Sequence, residues 1–151
     1  MAGISVSLIV LLSVLLLESG GAHATIFIPV PGIVTGPVCC TPDGNCPGTG
    51  AAGATVTLTC LGSLLNPGVS ISNTTTATGI FSISANITTY SISSLTIFSR
   101  CYITVQLPVP AADACFILSN TGGTLFSFVR RTGQVNGAMT GAPIRFVRIN
   151  N

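Results

Sequence analysis

Residues 55–60 read TVTLTC, and this stretch decides the fold class. The apolar side chains of Val56 and Leu58 alternate with threonines, so one face of the segment is apolar and the other is polar. A period of two predicts a β-strand with one buried face. Further β-branched or aromatic runs, each bounded by Gly, Pro, Asn or Ser, lie at 79–84, 95–98, 102–107, 125–129 and 144–149.

The segments between these runs contain turn formers and breakers. Residues 25–37 carry three prolines, which forbid a helix and favour extended backbone. Residues 41–54 form a Gly/Pro-rich loop, and the Ser/Thr-rich segment 70–78 is predicted as an exposed strand edge and a turn. One short helical turn is expected at 110–114. We therefore predict an all-β, disulfide-stapled antiparallel sandwich or partly open barrel of about seven or eight short strands.

The N-terminal segment has the pattern of a signal peptide. Residues 4–17 are almost purely apolar, and the run is followed by small residues and by Ala22-His23-Ala24. A membrane anchor is the alternative, but the run is shorter than the ~20 residues that cross a bilayer, and no basic residues flank it. We predict a signal peptide at 1–24, cleavage after Ala24, and one secreted domain at 25–151 without an integral membrane span.

Six cysteines lie in the predicted domain, and an even number in a secreted chain predicts a disulfide framework. They are Cys39, Cys40, Cys46, Cys60, Cys101 and Cys115. Metal binding is the alternative, but it would need Cys-x-x-Cys pairs or histidines, which the domain lacks. Cys60 ends one predicted strand and Cys101 begins another, so we expect these two to pair. Cys115 would then return to Cys39 or Cys40, and Cys46 would close the small loop.

Charge is scarce, at 5% of residues against about one quarter in ordinary domains. Weak repulsion between copies makes self-association plausible. Residues 25–151 contain no His, Glu or Lys, so general acid–base chemistry would rest on Asp43 and Asp113. Both aspartates occupy predicted turns, and there is no Gly-x-Ser-x-Gly nucleophile elbow. We expect no enzymatic activity, no cofactor and no bound metal.

Two groups of surface residues have alternative interpretations. Arg130, Arg131, Arg145 and Arg148 make the C-terminal third mildly basic. Nucleic-acid binding would need denser charge with interleaved aromatics. One hypothesis is that these arginines contact anionic microbial surfaces. The alternative is that they are solvated residues at strand ends that keep the protein soluble. Asn73 and Asn86 lie in N-glycosylation sequons, whereas Asn66 does not qualify because Pro67 follows it.

Several short motifs together resemble the phylloplanin-like family and, more loosely, the pollen Ole e 1-like group of plant extracellular proteins. They are Gly36-x-Val38-Cys39, Gly53-Ala54-x-Val56-x-Leu58-x-Cys60, Thr78-Gly79-Ile80-Phe81-Ser82-Ile83, Arg100-Cys101, Asp113-Ala114-Cys115 and Phe146-Val147-Arg148-Ile149-Asn150. The family pattern has four cysteines, which correspond to Cys60, Cys101, Cys115 and one of the vicinal pair. The remaining two cysteines are an addition in this chain.

The resemblance implies a small secreted plant protein on the leaf surface or in the apoplast. It would inhibit germination of fungal and oomycete spores by non-catalytic binding or coating, and its partners would be the microbial cell surface or the plant cuticle and cell wall. The alternative is a cell-wall structural or signalling protein of the Ole e 1-like kind, which would bind polysaccharide or a receptor. The chain has no tryptophan and only two tyrosines, and this scarcity argues against a carbohydrate-stacking site.

Overall fold

The structure, a computed structural model, describes residues 28–62, 67–89, 97–110, 115–120 and 122–150. Within these ranges the chain forms eight strands and one short helix. The strands are β1 (Ile28–Pro37), β2 (Thr55–Cys60), β3 (Val69–Thr74), β4 (Ile80–Thr89), β5 (Cys101–Leu107), β6 (Gly123–Val135), β7 (Ala138–Pro143) and β8 (Val147–Ile149). The helix is α1 (Phe116–Ser119).

The strands form one strongly curved sheet in the order β3-β2-β5-β6-β7-β1-β4, with β8 also paired to β6. Every pairing is antiparallel except that of β1 with β7. The long strand β6 pairs with β5 and β8 along its first half and with β7 along its second half. A register shift between Arg131 and Gly133 marks a β-bulge, which bends and twists a strand locally.

The two edge strands, β3 and β4, approach each other and nearly close the barrel. The side-chain amide Nδ2 of Asn73 on β3 donates to the backbone carbonyl of Ser82 on β4 at 2.8 Å. The Asn73 carbonyl Oδ1 accepts the N–H of Thr74 at 2.8 Å. One side chain therefore bridges the seam where no backbone ladder joins the two strands in the described residues. The predicted all-β, partly open barrel is confirmed.

The core follows from strand alternation. Val56 and Leu58 on β2 are fully buried, while the threonines between them face outward. Ile103 and Val105 on β5 and Leu125 on β6 continue the same buried layer. Phe81 and Ile83 on β4 and Val34 on β1 supply the opposite wall. Burial of these branched and aromatic side chains supplies the main stabilisation, at about 1.5–3 kcal/mol for each.

Three disulfides pair all six cysteines: Cys39–Cys46, Cys40–Cys115 and Cys60–Cys101. The expected pairing is confirmed, and the choice that the sequence left open for Cys115 is resolved in favour of Cys40. Cys60 and Cys101 are directly opposite each other in the β2–β5 ladder, so this bridge joins two neighbouring strands.

The loop between β1 and β2 covers one end of the barrel and is held by close backbone contacts. Val38 donates its N–H to the carbonyl of Gly79 and accepts the N–H of Ala51, both at 2.8 Å. Gly79 has φ of +78°, and a Cβ there would lie 2.5 Å from the Val38 oxygen. Only glycine fits this position, because a side chain would collide with backbone that cannot yield. The buried hydroxyl of Thr75 links the same loop through the N–H of Ala54 and the carbonyl of Ala51.

Several predicted boundaries differ from the structure. The predicted strand at 95–98 is wrong at Ile97 and Phe98, which lie in a turn and are buried there, and 95–96 lie outside the described residues. The predicted strand at 144–149 is interrupted, because only Val147–Ile149 pair with β6. The strand β7 was not predicted. The helical turn expected at 110–114 falls mostly outside the described residues, and the described helix is at Phe116–Ser119. The predicted signal peptide at 1–24 also lies outside them.

Candidate functional site

Among the described residues, one stretch of the outer surface of the barrel carries no charged side chain, and on β6 it ends at the outward Arg130. It consists of the outward side chains of β3, β2, β5, the first half of β6, and β8, and we call it the uncharged face. Its members are Thr55, Thr57, Thr59, Ser70, Ser72, Thr74, Tyr102, Thr104, Gln106, Thr124, Phe126, Phe128, Val147 and Ile149. Residues directly opposite in a ladder share a face, so the strand registers fix which side chains are neighbours.

The uncharged face changes in character from one side to the other. On β3 and β2 it presents hydroxyls, with Thr57 opposite Ser72 and Thr59 opposite Ser70. On β6 and β8 it presents aromatic and aliphatic groups, with Phe126 opposite Val147. The strand β5 lies between the two halves and contributes both kinds of side chain. The surface is therefore amphiphilic without being charged.

Three aromatic rings form the centre of the apolar half. The rings of Tyr102 and Phe126 have centroids 5.3 Å apart and are inclined by 33°. The ring of Phe128 stands at 87° to that of Phe126, with centroids 4.9 Å apart. Phe128 is 59% exposed. Tyr102 and Phe126 are close enough to stack partly on each other, and Phe126 and Phe128 meet edge to face; we call this group of three rings the aromatic corner.

Hydroxyl groups adjoin the aromatic corner. Thr59 is directly opposite Tyr102, and Thr104 is directly opposite Phe126. In the described part of the chain, no hydrogen bond engages the hydroxyls of Thr59, Thr104 or Tyr102. By contrast, Thr57 and Ser72 bond each other at 2.8 Å. Uncommitted hydroxyls beside aromatic rings can accept and donate hydrogen bonds to a bound partner.

The segment between β7 and β8 supports the aromatic corner from behind. Ile144 donates its N–H to the carbonyl of Phe128 at 3.0 Å, and Arg145 donates its N–H to the buried Ser127 hydroxyl at 3.1 Å. Phe146 is buried and bonds the side chain of Asn45 through both of its backbone groups. These bonds fix the backbone of β6 where the corner side chains project.

The four arginines suggested for anionic contact have different surroundings, and Arg145 and Arg148 both contact the segment at Pro42 and Asp43. Arg130 and Arg131 are consecutive on β6 and point to opposite sides of the sheet. Arg145 lies 3.8 Å from Asp43. Arg148 donates to the backbone carbonyls of Pro42 and Gly122, both at 3.1 Å, and therefore ties loops together. Contact of these residues with an anionic surface stays a prediction.

Asp43 has a structural environment. Its carboxylate accepts bonds from the Thr41 hydroxyl at 3.2 Å and the Asn45 N–H at 3.3 Å. The side-chain amide of Asn45, aided by the backbone N–H of Asn45 and the Thr41 hydroxyl, holds the pKa of Asp43 below its ordinary value of 3.8. A low pKa suits a stabilised turn carboxylate and does not suit a proton donor. Asp113 lies outside the described residues.

Other sites offer less chemistry. In the ranges that the structure describes, no three His, Cys, Asp or Glu side chains lie close enough together to hold a metal ion. A shallow cleft of about 200 Å³ between Asn45 and residues 143–146 is smaller than the roughly 300–1,000 Å³ of ordinary ligand sites. Among the described residues, no helix has the length and apolar character needed to cross a bilayer.

The two sequons have different surroundings. Asn73 lies at the seam and is hydrogen-bonded to Ser82, whereas Asn86 is exposed in β4. Use of either sequon for glycosylation stays a prediction.

The aromatic corner was not foreseen from the sequence. Tyr102, Phe126 and Phe128 appeared only as strand residues, and the scarcity of aromatic residues argued against a stacking site. The alternation in 125–129 does place Phe126 and Phe128 on one face, but bringing Tyr102 beside them requires the register of β5 against β6.

Comparison with known proteins gives one structural likeness. No family model matches the chain, and no curated protein matches it. Among solved structures, the major plantain pollen allergen Pla l 1 is similar over 80% of this chain and 93% of its own, with 19% sequence identity and a TM-score of 0.33.

Proposed function

We propose that this chain is a secreted plant surface protein that inhibits germination of fungal and oomycete spores by non-catalytic binding or coating. The uncharged face carries the proposal. An exposed surface with aromatic groups and no charge favours adhesion to other surfaces, because its burial removes apolar area from water without desolvating ions.

Two further observations support a binding role rather than a catalytic one. Asp43 lies in a turn, where its carboxylate accepts hydrogen bonds from Thr41 and Asn45 and so has a structural role. All six cysteines are paired, so no thiolate serves as a nucleophile. Disulfides of this density are typical of proteins that fold in an oxidising, extracellular route.

The test is a spore-germination assay with the purified, disulfide-bonded protein. We expect inhibition by the wild type, loss of inhibition after reduction, and full inhibition by Asp43→Asn. Phe128→Arg, which places a charge on the uncharged face, should weaken inhibition, whereas the matched change Phe116→Arg on the helix should not. An absence of inhibition by the pure wild type would refute the proposal.

Ionic strength separates this mechanism from attraction to anionic surfaces. Binding through an uncharged face should change little with salt, because no ion pairs are screened. Attraction through Arg130 and the other arginines would weaken steeply as salt rises. A steep salt dependence, together with loss of inhibition in Arg130→Gln, would show that the arginines and not the uncharged face carry the inhibition.

A second candidate function is that of a structural or signalling protein of the plant cell wall. It is favoured by the hydroxyls around Tyr102 that have no hydrogen-bond partner among the described residues. In that case the pure protein would bind wall material and would leave spores unaffected.

A further inference from the structure

We infer that the Cys39–Cys46 disulfide is a thiol-exchange site, and that the cleft beside Cys46 admits a small anionic thiol of the glutathione class. In this reaction the sulfur of the incoming thiolate bonds to Cys46 Sγ and is oxidised to a mixed disulfide. The bond between Cys46 and Cys39 breaks, and Cys39 leaves with the electron pair and takes up the proton that the thiol released. The inference goes beyond the proposed function and does not depend on it.

Exposure distinguishes this bridge from the other two. Cys46 is exposed to solvent, whereas its partner Cys39 is buried. The cysteines of the other bridges are Cys60, Cys101 and Cys115, which are buried, and Cys40, which is partly buried against the core. A disulfide is opened by a thiolate that must reach one of its sulfurs, so access decides which bridge reacts first.

The short span of the bridge also favours its opening. The bridge spans 7 residues, whereas the other two span 41 and 75. A bridge that closes a short loop stabilises the fold least, and by the same linkage the fold opposes its reduction least. Backbone bonds hold the loop as well, from the Cys39 N–H to the Gly44 carbonyl at 2.9 Å and from the Gly44 N–H to the Thr41 carbonyl at 3.1 Å. Opening the bridge therefore does not require the loop to unfold.

The surroundings of Cys39 suit the sulfur that leaves. Its Sγ lies 3.5 Å from the carbonyl oxygen of Gly48. Once Cys39 is reduced, its S–H group can donate to this oxygen. Buried surroundings favour the neutral thiol over the thiolate. The exchange thus places the mixed disulfide on the exposed Cys46 and the protonated thiol on the buried Cys39.

The charge around the cleft selects an anionic thiol. The cleft has a volume of about 200 Å³, and both Cys46 and Arg145 line it. Asp43 lies 3.8 Å from Arg145, and Arg148 donates to the adjoining Pro42 carbonyl, so two guanidinium groups adjoin one carboxylate. Excess positive charge stabilises a thiolate and attracts a thiol that carries carboxylates. The volume is below that of a whole ligand site, so the cleft would receive the thiol-bearing end of the molecule.

The experiment exposes the purified, disulfide-bonded protein to rising concentrations of reduced glutathione at neutral pH. Free thiols are trapped with N-ethylmaleimide, and the unreduced peptides are mapped by mass spectrometry. We expect a glutathione adduct on Cys46 and a trapped thiol on Cys39 at concentrations that leave the other two bridges intact. An adduct on Cys39, or opening of either other bridge at the same or a lower concentration, would overturn the inference. So would the absence of any adduct until the protein unfolds.

A second comparison tests the charge of the thiol. Arg145→Gln should slow the reaction with glutathione about two- to fivefold, the range expected for one exposed charge, and should leave the reaction with uncharged 2-mercaptoethanol unchanged. The matched control is Arg100→Gln, because Arg100 donates to the Gly62 carbonyl and does not line the cleft. Glutathione rates that are equal in Arg145→Gln and Arg100→Gln would overturn the assignment of the cleft to an anionic thiol.

A variant without the bridge completes the test. Cys39→Ser/Cys46→Ser should form no adduct at the glutathione concentrations that modify the wild type, and its thermal midpoint should show that it is folded. An adduct in this variant at those concentrations would overturn the inference, because another bridge would then be the reactive one. The mapping of the wild type decides the inference even where this variant does not fold. Spore inhibition does not enter any of these measurements, so the inference and the proposed function fail independently.

Discussion

The side-chain amide of Asn45 pairs with both backbone groups of Phe146. Its Nδ2 donates to the Phe146 carbonyl, its Oδ1 accepts the Phe146 N–H, and both distances are 2.8 Å. A side chain from the disulfide loop thus acts as a strand partner for a segment that has left the β6 ladder. This pairing holds the loop, the β7–β8 connection and the rear of the aromatic corner in one arrangement.

Replacing Asn45 with alanine should lower the free energy of unfolding by about 2 kcal/mol, because two backbone groups lose their partners at about 1 kcal/mol each. Urea denaturation measures the change. Gln134→Ala, at an exposed position of β6, is the control and should stay within about 0.5 kcal/mol of the wild type. An Asn45→Ala protein as stable as the control would show that water replaces the amide.

The lowered pKa of Asp43 makes stability depend on pH in the acidic range. The folded protein holds the carboxyl pKa below 3.8, so the ionised form stabilises the fold at pH values above 3.8. This contribution is lost as the pH falls through the folded pKa. The effect should be small, since the side chain is 41% exposed and its Arg145 partner is 76% exposed.

The thermal midpoint of the wild type should therefore fall more than that of Asp43→Asn when the pH is lowered from neutral to below 3.8. Thermal unfolding across that range measures it, and Arg145→Gln tests whether the ion pair contributes. A wild type and an Asp43→Asn variant with parallel pH profiles would contradict the role of this carboxylate.

The bond from Asn73 to Ser82 predicts that Asn73→Ala opens the seam between β3 and β4. Loss of one bond should cost about 1 kcal/mol, and amide exchange in β3 should quicken, because an edge strand without its bridge frays. Asn86→Ala is the matched control, since it removes an exposed asparagine and a sequon from β4 without touching the seam. Both variants are compared as unglycosylated proteins. Equal exchange in the two variants would mean that the seam does not depend on Asn73.

The three disulfides should contribute unequally. They span 7, 41 and 75 residues for Cys39–Cys46, Cys60–Cys101 and Cys40–Cys115. Chain entropy predicts losses of about 2, about 4 and about 4.5 kcal/mol when each pair is changed to alanine. Denaturant titration of the three double variants gives the order. A local pair that costs as much as the long-range pairs would indicate that the small loop is strained or unfolded without its bridge.

The strands that the sequence predicted well have a clear alternation or strong β formers. Residues 55–60 alternate without error, and β2 has these same bounds. The prolines of 25–37 indicated extended backbone, and most of the segment is β1. Three prolines occur in a strand with neighbours on both sides, because only three residues of β1 pair with β7.

The strand predictions failed where a buried residue does not lie in a strand, or where a strand is made of weak β formers. Ile97 and Phe98 have the composition of a strand, but they fill the core from a turn, where Phe98 packs against Gly32 and Gly141. The strand β7, AMTGAP, has weak β formers, and its place between β6 and β1 selects small residues: a Cβ at Gly141 would lie 2.8 Å from Val129. Such packing depends on residues distant in sequence, so local patterns do not reveal it.

The candidate site needed information that a single strand does not contain. Each strand of the uncharged face shows outward residues of an ordinary kind. Their common lack of charge, and the meeting of Tyr102 with Phe126 and Phe128, emerge only when the registers of β5 and β6 are known. Scarce aromatic residues can still form a site when the sheet brings them together.

The place of β1 between β4 and β7 has a consequence for biosynthesis. In synthesis from the N-terminus, β1 and β4 are made early but β7 is made near the end, so one edge of β1 stays unpaired for most of synthesis. Cys39 can pair with Cys46 soon after both are made, because they are 7 residues apart, whereas Cys40 cannot pair with Cys115 until 75 more residues are made. During that interval the unpaired edge of β1 and the unpaired thiol of Cys40 lie next to each other, and this is where pairing with a wrong strand or a wrong cysteine is most favoured.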